Sequence, residues 1–287
     1  MKTETFMEIF NDIDGEFIEK AHAPREKGKI LSPKKWFALI AAILLFGATA
    51  TVVIAAVRSI EYKGTGCWIL YNGSEKYGYE MTITVENVPE NSFGENIDSV
   101  RKVLVEKAED HSDCLVSENG TEVHNCGYVS KEFLVRNEAA EWLDYDGVKI
   151  IDFREAGHIK TFVTVHGDYG EPGSGKIAAV TINSQWKKSG ISFGTQAEIN
   201  TDISGKTTYS YHMEIPEGSG VENSYKKSKN GTEYIVLRIY PKYGNGDFTE
   251  IQSMLVKDGI LYSFNADFKE EKLEECYKIL EEWADNF

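Results

Sequence analysis

WFALIAAILLFGATATVVIAAV, residues 36–57, is the stretch that decides the architecture of this chain. It runs for 22 residues without a charged side chain, and Lys34, Lys35 and Arg58 flank it. A helix of that length covers roughly 30 Å, the thickness of the hydrocarbon core of a bilayer. Soluble core helices are rarely so long and so apolar all round, and a signal peptide has a shorter apolar run. The stretch therefore predicts a single transmembrane helix in contact with the lipid bilayer.

The orientation follows from the basic residues on either side of the predicted helix. Arg58 and Lys63 follow it, whereas five basic residues precede it: Arg25, Lys27, Lys29, Lys34 and Lys35. Basic residues near a span mark its cytoplasmic side. We therefore predict a single-pass protein of the cell membrane, with its N-terminus in the cytoplasm and residues 58–287 as an extracytoplasmic domain.

The net charge of −15 falls entirely on that outer domain, because residues 1–35 carry equal numbers of acidic and basic side chains. A domain this acidic is a poor candidate for binding nucleic acid. Its roughly 230 residues can bury a sizeable core as one domain or two.

The cytoplasmic part divides into an acidic amphipathic tail (residues 1–23) and a basic linker (residues 24–35). The apolar stripe of the tail consists of Phe6, Ile9, Phe10, Ile13 and Phe17. Its acidic face argues against lying on the negative inner leaflet. We expect the stripe to bind a groove on a basic cytoplasmic protein. A partly disordered tail is the alternative that the sequence leaves open.

Periodicity in the outer domain predicts an α+β fold with antiparallel sheets, packed helices and a C-terminal helix that closes the sheet. The predicted strands cover residues 67–71, 79–85, 148–153, 159–165, 177–182, 208–215 and 234–240. A helix is predicted at residues 95–109. A hairpin around Asp258-Gly259 precedes a final helix whose stripe is predicted to run from Phe268 to Ala284. The polar run at residues 218–233 predicts a loop, with a possible subdomain boundary near residues 216–232.

All four cysteines lie on the predicted outer side, where disulfides form. Cys114 and Cys126 are the closest pair along the chain and form the candidate disulfide, although four thiols allow three pairings. Cys276 lies on the apolar stripe of the last helix and is expected to be a buried thiol.

Three catalytic or metal-binding patterns are incomplete. The string from Gly170 to Lys176 resembles a phosphate-binding loop, but Ile177 replaces the magnesium ligand and a strand is predicted next. His111, Asp113, Cys114, His124 and Cys126 match no familiar zinc spacing. Two S-x-x-K strings, at Ser184 and Ser224, lack the motifs that accompany them in penicillin-recognising enzymes. The sequence predicts no enzyme activity, no catalytic residues, no cofactor and no metal site.

The tail motif IFNDIDGEFIEKA (residues 9–21) followed by basic residues and one span resembles a group of Firmicutes anti-sigma membrane regulators. The closing EIQSMLVKDGILYSFNADFKEEKLEECYKIL (residues 250–280) is similar to the last hairpin and helix of the DUF4367 domain found on such proteins. The chain lacks the H-x-x-x-C-x-x-C of zinc-type anti-sigma domains. The resemblance implies a sigma factor as the partner of residues 3–23.

Two functions agree with these observations. The first is an anti-sigma-like membrane regulator that couples an extracytoplasmic sensor to a cytoplasmic partner. The second is a membrane-tethered extracytoplasmic binding module without a signalling role. The acidic-apolar pattern of residues 3–23 favours the first.

Overall fold

The computed structural model describes residues 60–287, apart from residues 63–66, 72–73, 111–115, 119–120, 125–126, 169–170, 172, 202–204, 216 and 242–246. The predicted tail, linker and span lie outside the described residues, as do the partner-binding stripe from Phe6 to Phe17 and the candidate disulfide Cys114–Cys126. Of the helices in the described part, none is long and apolar enough to cross a membrane.

The described residues form 14 strands and three α-helices. The strands are β1 Ile60–Tyr62, β2 Cys67–Tyr71, β3 Ser74–Glu86, β4 Val116–Glu118, β5 Thr121–His124, β6 Tyr128–Phe133, β7 Gly157–Gly167, β8 Ile177–Lys188, β9 Ile191–Asn200, β10 Lys206–Glu214, β11 Gly220–Lys227, β12 Glu233–Tyr240, β13 Phe248–Lys257 and β14 Ile260–Lys269. The helices are α1 Glu95–Asp110, α2 Arg136–Leu143 and α3 Leu273–Ala284, with 3-10 turns at Glu90–Ser92 and Glu270–Lys272.

Two antiparallel sheets contain these strands. The large sheet has ten strands in the order β11-β12-β13-β14-β9-β8-β7-β6-β5-β4. The small sheet has four strands, with β3 paired to β10 along one edge and to β1 and β2 along the other. The predicted α+β class with antiparallel sheets and a C-terminal helix is therefore confirmed.

The two faces of the large sheet are covered differently. On one face, α1, α2 and α3 pack against alternate strand residues in a single apolar core. Tyr234 and Val236 of β12 belong to this core, whereas Ile235 between them points to the other face. There it packs with Met81 and Ile83 of β3. The small sheet thus covers β12 to β14 on the face opposite the helices.

The C-terminal prediction is confirmed in most of its details. Asp258 and Gly259 both have positive φ, at 51° and 78°, and join β13 to β14 as a two-residue hairpin. Cys276 and Trp283 of α3 are fully buried in the core. Phe268 is also buried, but it lies in β14 rather than in the helix.

Two sequence predictions are wrong. Residues 148–153 form no strand. Ile151 and Phe153 are buried in the core, and the Lys149 N–H donates to the Tyr262 hydroxyl at 2.9 Å. The predicted polar loop at residues 218–233 contains β11, an edge strand that has few apolar side chains because it contacts only one neighbour. Residues 58–287 form one compact unit, and the possible subdomain boundary near residues 216–232 stays a prediction.

Candidate functional site

A polar floor lies on the large sheet where the small sheet does not cover it. Ile191, Phe193, Ala197 and Ile199 of β9 are buried in the helix-side core, so the even-numbered residues from Ser192 to Glu198 face the opposite way. Across β8 and β14, most of their neighbours carry amides or hydroxyls, whereas Ser192 lies between Lys187 and Asp267. The floor side chains are Asn183, Gln185, Ser192, Gln196, Ser263 and Asn265.

The floor and its walls enclose a groove of about 780 Å³, which we call the β10 groove. Tyr209 and Tyr211 of β10 form one wall, and the ring of Tyr211 is 36% exposed. Ile159 of β7 lies on the far side, at a register shift in the pairing of β7 with β8, and is 46% exposed. The groove is therefore open along its length and has apolar contact surface on both sides.

Tyr209 connects the β10 wall of the groove to the β9 part of its floor through side-chain hydrogen bonds. Its hydroxyl donates to Glu198 Oε1 at 2.7 Å and accepts a hydrogen bond from Asn200 Nδ2. Burial, followed by the hydrogen bond to Glu198, raises the pKa of Tyr209 well above the ordinary tyrosine value. The phenol therefore stays protonated and keeps donating its hydrogen bond to Glu198. This bond fixes the distance between β10 and β9.

Gly194 leaves space in the centre of the floor. It pairs with Gln185 on one side and with Asn265 on the other. A Cβ atom at this position would collide with Oδ1 of Asn265, whose side chain lies over the glycine. The missing side chain thus lets the Asn265 amide lie flat in the groove.

The lining of the groove combines amides and hydroxyls with two carboxylates. Glu198 and Asp267 are its carboxylates, and its described lining contains no lysine, arginine, histidine or cysteine. Glu198 accepts from the Tyr209 phenol and from Gln196 Nε2 at 3.4 Å. No nucleophile with an adjacent base is present among these lining residues, so the described arrangement offers hydrogen bonds and negative charge.

A second cavity, of about 690 Å³, lies beside α3 and is lined mainly by charged side chains. These charges are paired: Lys188 Nζ lies 2.6 Å from Glu282 Oε2, and Lys229 Nζ lies 2.7 Å from Asp285 Oδ2. Glu282 also accepts from the Arg154 N–H at 2.6 Å. We interpret these ion pairs and hydrogen bonds as structural contacts that hold surface segments against α3.

The structure describes parts of two of the three incomplete motifs; in the zinc-like set, His111, Asp113, Cys114 and Cys126 lie outside the described residues. Lys176 forms an ion pair with Glu171, and Ile177 begins β8, as the strand prediction required. Ser184 is buried and shares a 2.8 Å hydrogen bond with Thr161, whereas Lys187, three residues further along the strand, lies on the other face. Within the described residues, no group of three or more His, Cys, Asp or Glu side chains could hold a metal ion.

The sequence does not predict the β10 groove, because the residues that line it belong to no recognisable motif. Its residues come from seven strands (β3, β7, β8, β9, β10, β13 and β14), and those of the floor are mostly uncharged amides and hydroxyls. The alternation of Ile191, Phe193, Ala197 and Ile199 would have identified β9 and hence its polar face. No protein-family model, curated protein or solved structure matches this chain.

Proposed function

We propose that this chain is a single-pass membrane regulator, anti-sigma-like in organisation, whose residues 58–287 bind an extracytoplasmic ligand in the β10 groove. The groove carries the proposal: it gathers neutral hydrogen-bonding side chains on a rigid sheet, next to exposed tyrosine and isoleucine surface. Apolar surface with a few convergent hydrogen-bonding groups is typical of ligand-binding sites, and the described lining pairs no nucleophile with a base. We therefore propose no enzyme activity.

The regulatory part of the proposal is supported by the sequence of residues 1–57. An uncharged 22-residue stretch separates a short acidic tail from the large domain. The apolar stripe of the tail cannot be buried within the tail itself, because 23 residues are too few to form a hydrophobic core. A cytoplasmic partner, most simply a sigma factor, would cover that stripe, and ligand binding outside would alter its availability.

The alternative is a tethered binding module without a signalling role, which uses the same groove but needs no partner for the tail. A pull-down with the tail as bait separates the two, using the purified sigma factor encoded nearest to this chain. Retention that is lost with Ile13→Asp and Phe17→Asp supports regulation. Equal retention by wild type and both variants, or none at all, supports the tethered module.

The groove itself is tested by hydrogen exchange on the full-length protein. Three defined probe sets are added separately: basic peptides, acidic peptides and uncharged oligosaccharides. We expect at least one set to slow amide exchange in β8, β9, β10 and β14 while leaving α3 unchanged. Protection confined to the cavity beside α3, or absence of protection with every set, would contradict the proposed site.

A further inference from the structure

We infer that the ligand of the β10 groove is an uncharged oligosaccharide, whose hydroxyl groups bind the amides of the floor while a sugar ring packs against Tyr211. This inference rests on the proposed function, because it names the class of ligand that the same groove would bind. Three features of the described residues carry it: an array of amides, a balance of charge and an exposed tyrosine ring.

The first feature is a block of amide side chains in the floor. Two neighbouring rows across β8, β9 and β14 contain it: Gln185, Gly194 and Asn265 in one, and Asn183, Gln196 and Ser263 in the other. Such rows are about 7 Å apart along a strand, and neighbouring strands are about 4.8 Å apart. Amides from three strands are therefore neighbours, and a ligand lying across them meets several at once.

These amides are available to a ligand. The side chains of Gln185 and Asn265 are exposed and form no hydrogen bond among the described residues. Asn183 and Gln196 each donate one hydrogen bond to a neighbour on the same strand, at 3.4 Å. A primary amide has two N–H donors and a carbonyl acceptor, so each of these two has further capacity. Sugar hydroxyls also donate and accept, and they therefore match either end of each amide.

The second feature is the balance of charge. Lys187 and Asp267 lie on either side of Ser192 at one end of the floor, so charges of opposite sign occur together there. Asp267 also has a partner within the chain, and the Glu198 carboxylate accepts a hydrogen bond from Tyr209. A charged ligand would therefore lose its hydration without gaining an uncompensated opposite charge from these floor residues. An uncharged ligand rich in hydroxyls has no such cost.

The third feature is the ring of Tyr211 in the β10 wall. Tyr211 lines the groove and is 36% exposed, and its ring centroid lies 6.3 Å from that of Tyr79. This contact positions the ring and leaves part of it open to the groove. One face of a sugar ring consists of C–H groups, which pack on aromatic side chains. Tyr211 would therefore add apolar contact to the hydrogen bonds of the floor.

The same floor suits a peptide less well. An extended peptide points every second side chain at the surface beneath it, and peptide-binding surfaces hold those side chains in pockets. Here the Asn265 side chain lies over Gly194, so an amide group occupies the centre of the floor. Hydroxyl groups spaced along a sugar chain can bind such a surface without pockets.

The test uses the full-length protein and two kinds of probe. The first kind is three uncharged tetramers, of β-1,4-linked N-acetylglucosamine, β-1,4-linked glucose and α-1,4-linked glucose. The second kind is two nine-residue peptides, which alternate threonine with lysine or with glutamate. Binding is measured by isothermal titration calorimetry, and the location by hydrogen exchange.

We expect at least one tetramer to bind and to slow amide exchange in β8, β9 and β14. Its affinity should change less than about twofold between about 0.05 M and about 0.5 M salt, because an uncharged ligand has no ionic contact that salt could screen.

Gln185→Ala and Asn265→Ala are the matching changes in the floor. Asn223→Ala, which removes an exposed amide of β11 outside the groove, is their control. We expect each floor variant to weaken binding of the tetramer about fivefold and the control less than about twofold. Tyr211→Ala should weaken it about fivefold, whereas Tyr211→Phe, which retains the ring, should weaken it less than about twofold.

Protection of the groove by a tetramer, weakened in both floor variants and retained in Asn223→Ala, supports the inference even if Tyr211→Ala fails to fold. Equal binding of the tetramer by wild type and both floor variants overturns it. A peptide that protects the groove, with no tetramer doing so, also overturns it but leaves the proposed function standing. If no probe protects the groove, both are wrong.

Discussion

Tyr209 is the residue on which the geometry of the groove depends. Its hydroxyl satisfies both the Glu198 carboxylate at 2.7 Å and the amide of Asn200, which is only 6% exposed. Removing one member of a buried hydrogen-bonded group leaves the others desolvated and unpaired. We therefore predict that Tyr209→Phe lowers the free energy of unfolding by about 1–3 kcal/mol, measured by urea denaturation.

Tyr211→Phe is the control for this change, because Tyr211 lies two residues further along β10 with a partly exposed ring. We expect it to alter the free energy of unfolding by less than about 0.5 kcal/mol. Equal losses for the two variants would mean that the Glu198–Tyr209–Asn200 group contributes nothing of its own.

Tyr262 gives the protein a defined sensitivity to alkaline pH. Burial in the core raises its pKa to about 12 from 10.0, although the Lys149 N–H that donates to its oxygen acts in the opposite direction. The folded protein therefore holds the phenolic proton more tightly than the unfolded chain. The contribution of Tyr262 to the free energy of unfolding is therefore fully present below pH 10. It is lost as the pH rises toward 12, at about 1.4 kcal/mol per pH unit.

Tyr262→Phe should remove this contribution and flatten the alkaline part of a plot of unfolding free energy against pH. Tyr225→Phe, at an exposed position of β11, should leave the slope unchanged. The measurement is urea denaturation at several pH values between about 8 and 11. An unaltered slope in Tyr262→Phe would disprove the assignment, even if that variant were less stable at every pH.

At the scale of secondary-structure elements, two glycines in the sheets have opposite roles. Gly259, in the turn of the β13–β14 hairpin, has φ of 78°, and a Cβ there would lie 2.9 Å from the Glu86 carbonyl oxygen. Gly194 has no such φ and would meet only the end of the Asn265 side chain. We predict that Gly259→Ala lowers the free energy of unfolding by at least about 1 kcal/mol.

Gly194→Ala should change stability by less than about 0.5 kcal/mol, because Asn265 can rotate away. It should nevertheless weaken the binding of any ligand that contacts the Asn265 amide. Chemical denaturation and calorimetry on the same two variants separate these effects. A large loss of stability in Gly194→Ala would show that the Asn265 side chain belongs to the structural core rather than to the groove.

The elements that could be predicted from sequence are those with both periodicity and a marked end. The β13–β14 hairpin has alternating apolar residues and the Asp258-Gly259 pair, and α1 has Ile97, Val100 and Leu104 on one stripe. Strand β9 had the same signals, with alternation after Ser189-Gly190, whose φ angles are both positive. The sequence does not predict this strand, because Gly194 and polar residues interrupt its apolar pattern.

Other elements gave no usable signal. Helix α2 has eight residues; Val135 precedes it without providing a side-chain cap, and Asp144 rather than a glycine follows it. Packing stabilises it, through Ala139 and Leu143, more than its own propensity does. The groove could not be predicted for a similar reason. Its position depends on which strands become neighbours, and the pairing of β9 with β14 joins residues about 60 to 75 positions apart.

At the scale of the whole molecule, the predicted topology can be tested directly. Five basic residues precede residues 36–57 and two follow them, which predicts that the N-terminus lies in the cytoplasm. We predict that protease added to intact protoplasts degrades residues 58–287 and spares an epitope at the N-terminus. Immunoblotting after lysis in detergent, when both parts should become accessible, provides the control. Loss of the N-terminal epitope from intact protoplasts would reverse the orientation.

The pairing of β9 with β14 also sets the order in which this protein can fold. Ile199 faces Ile260, and Ser192 faces Asp267, so the six strands from β4 to β9 gain their central neighbour only from the last hairpin of the chain. Distant pairings of this kind slow folding, because loop-closure entropy is lost before the contact forms. During synthesis, β9 therefore has an unprotected edge until nearly the whole chain has emerged. A chaperone that binds exposed strands would act in that interval, and truncation anywhere before residue 260 would make the exposure permanent.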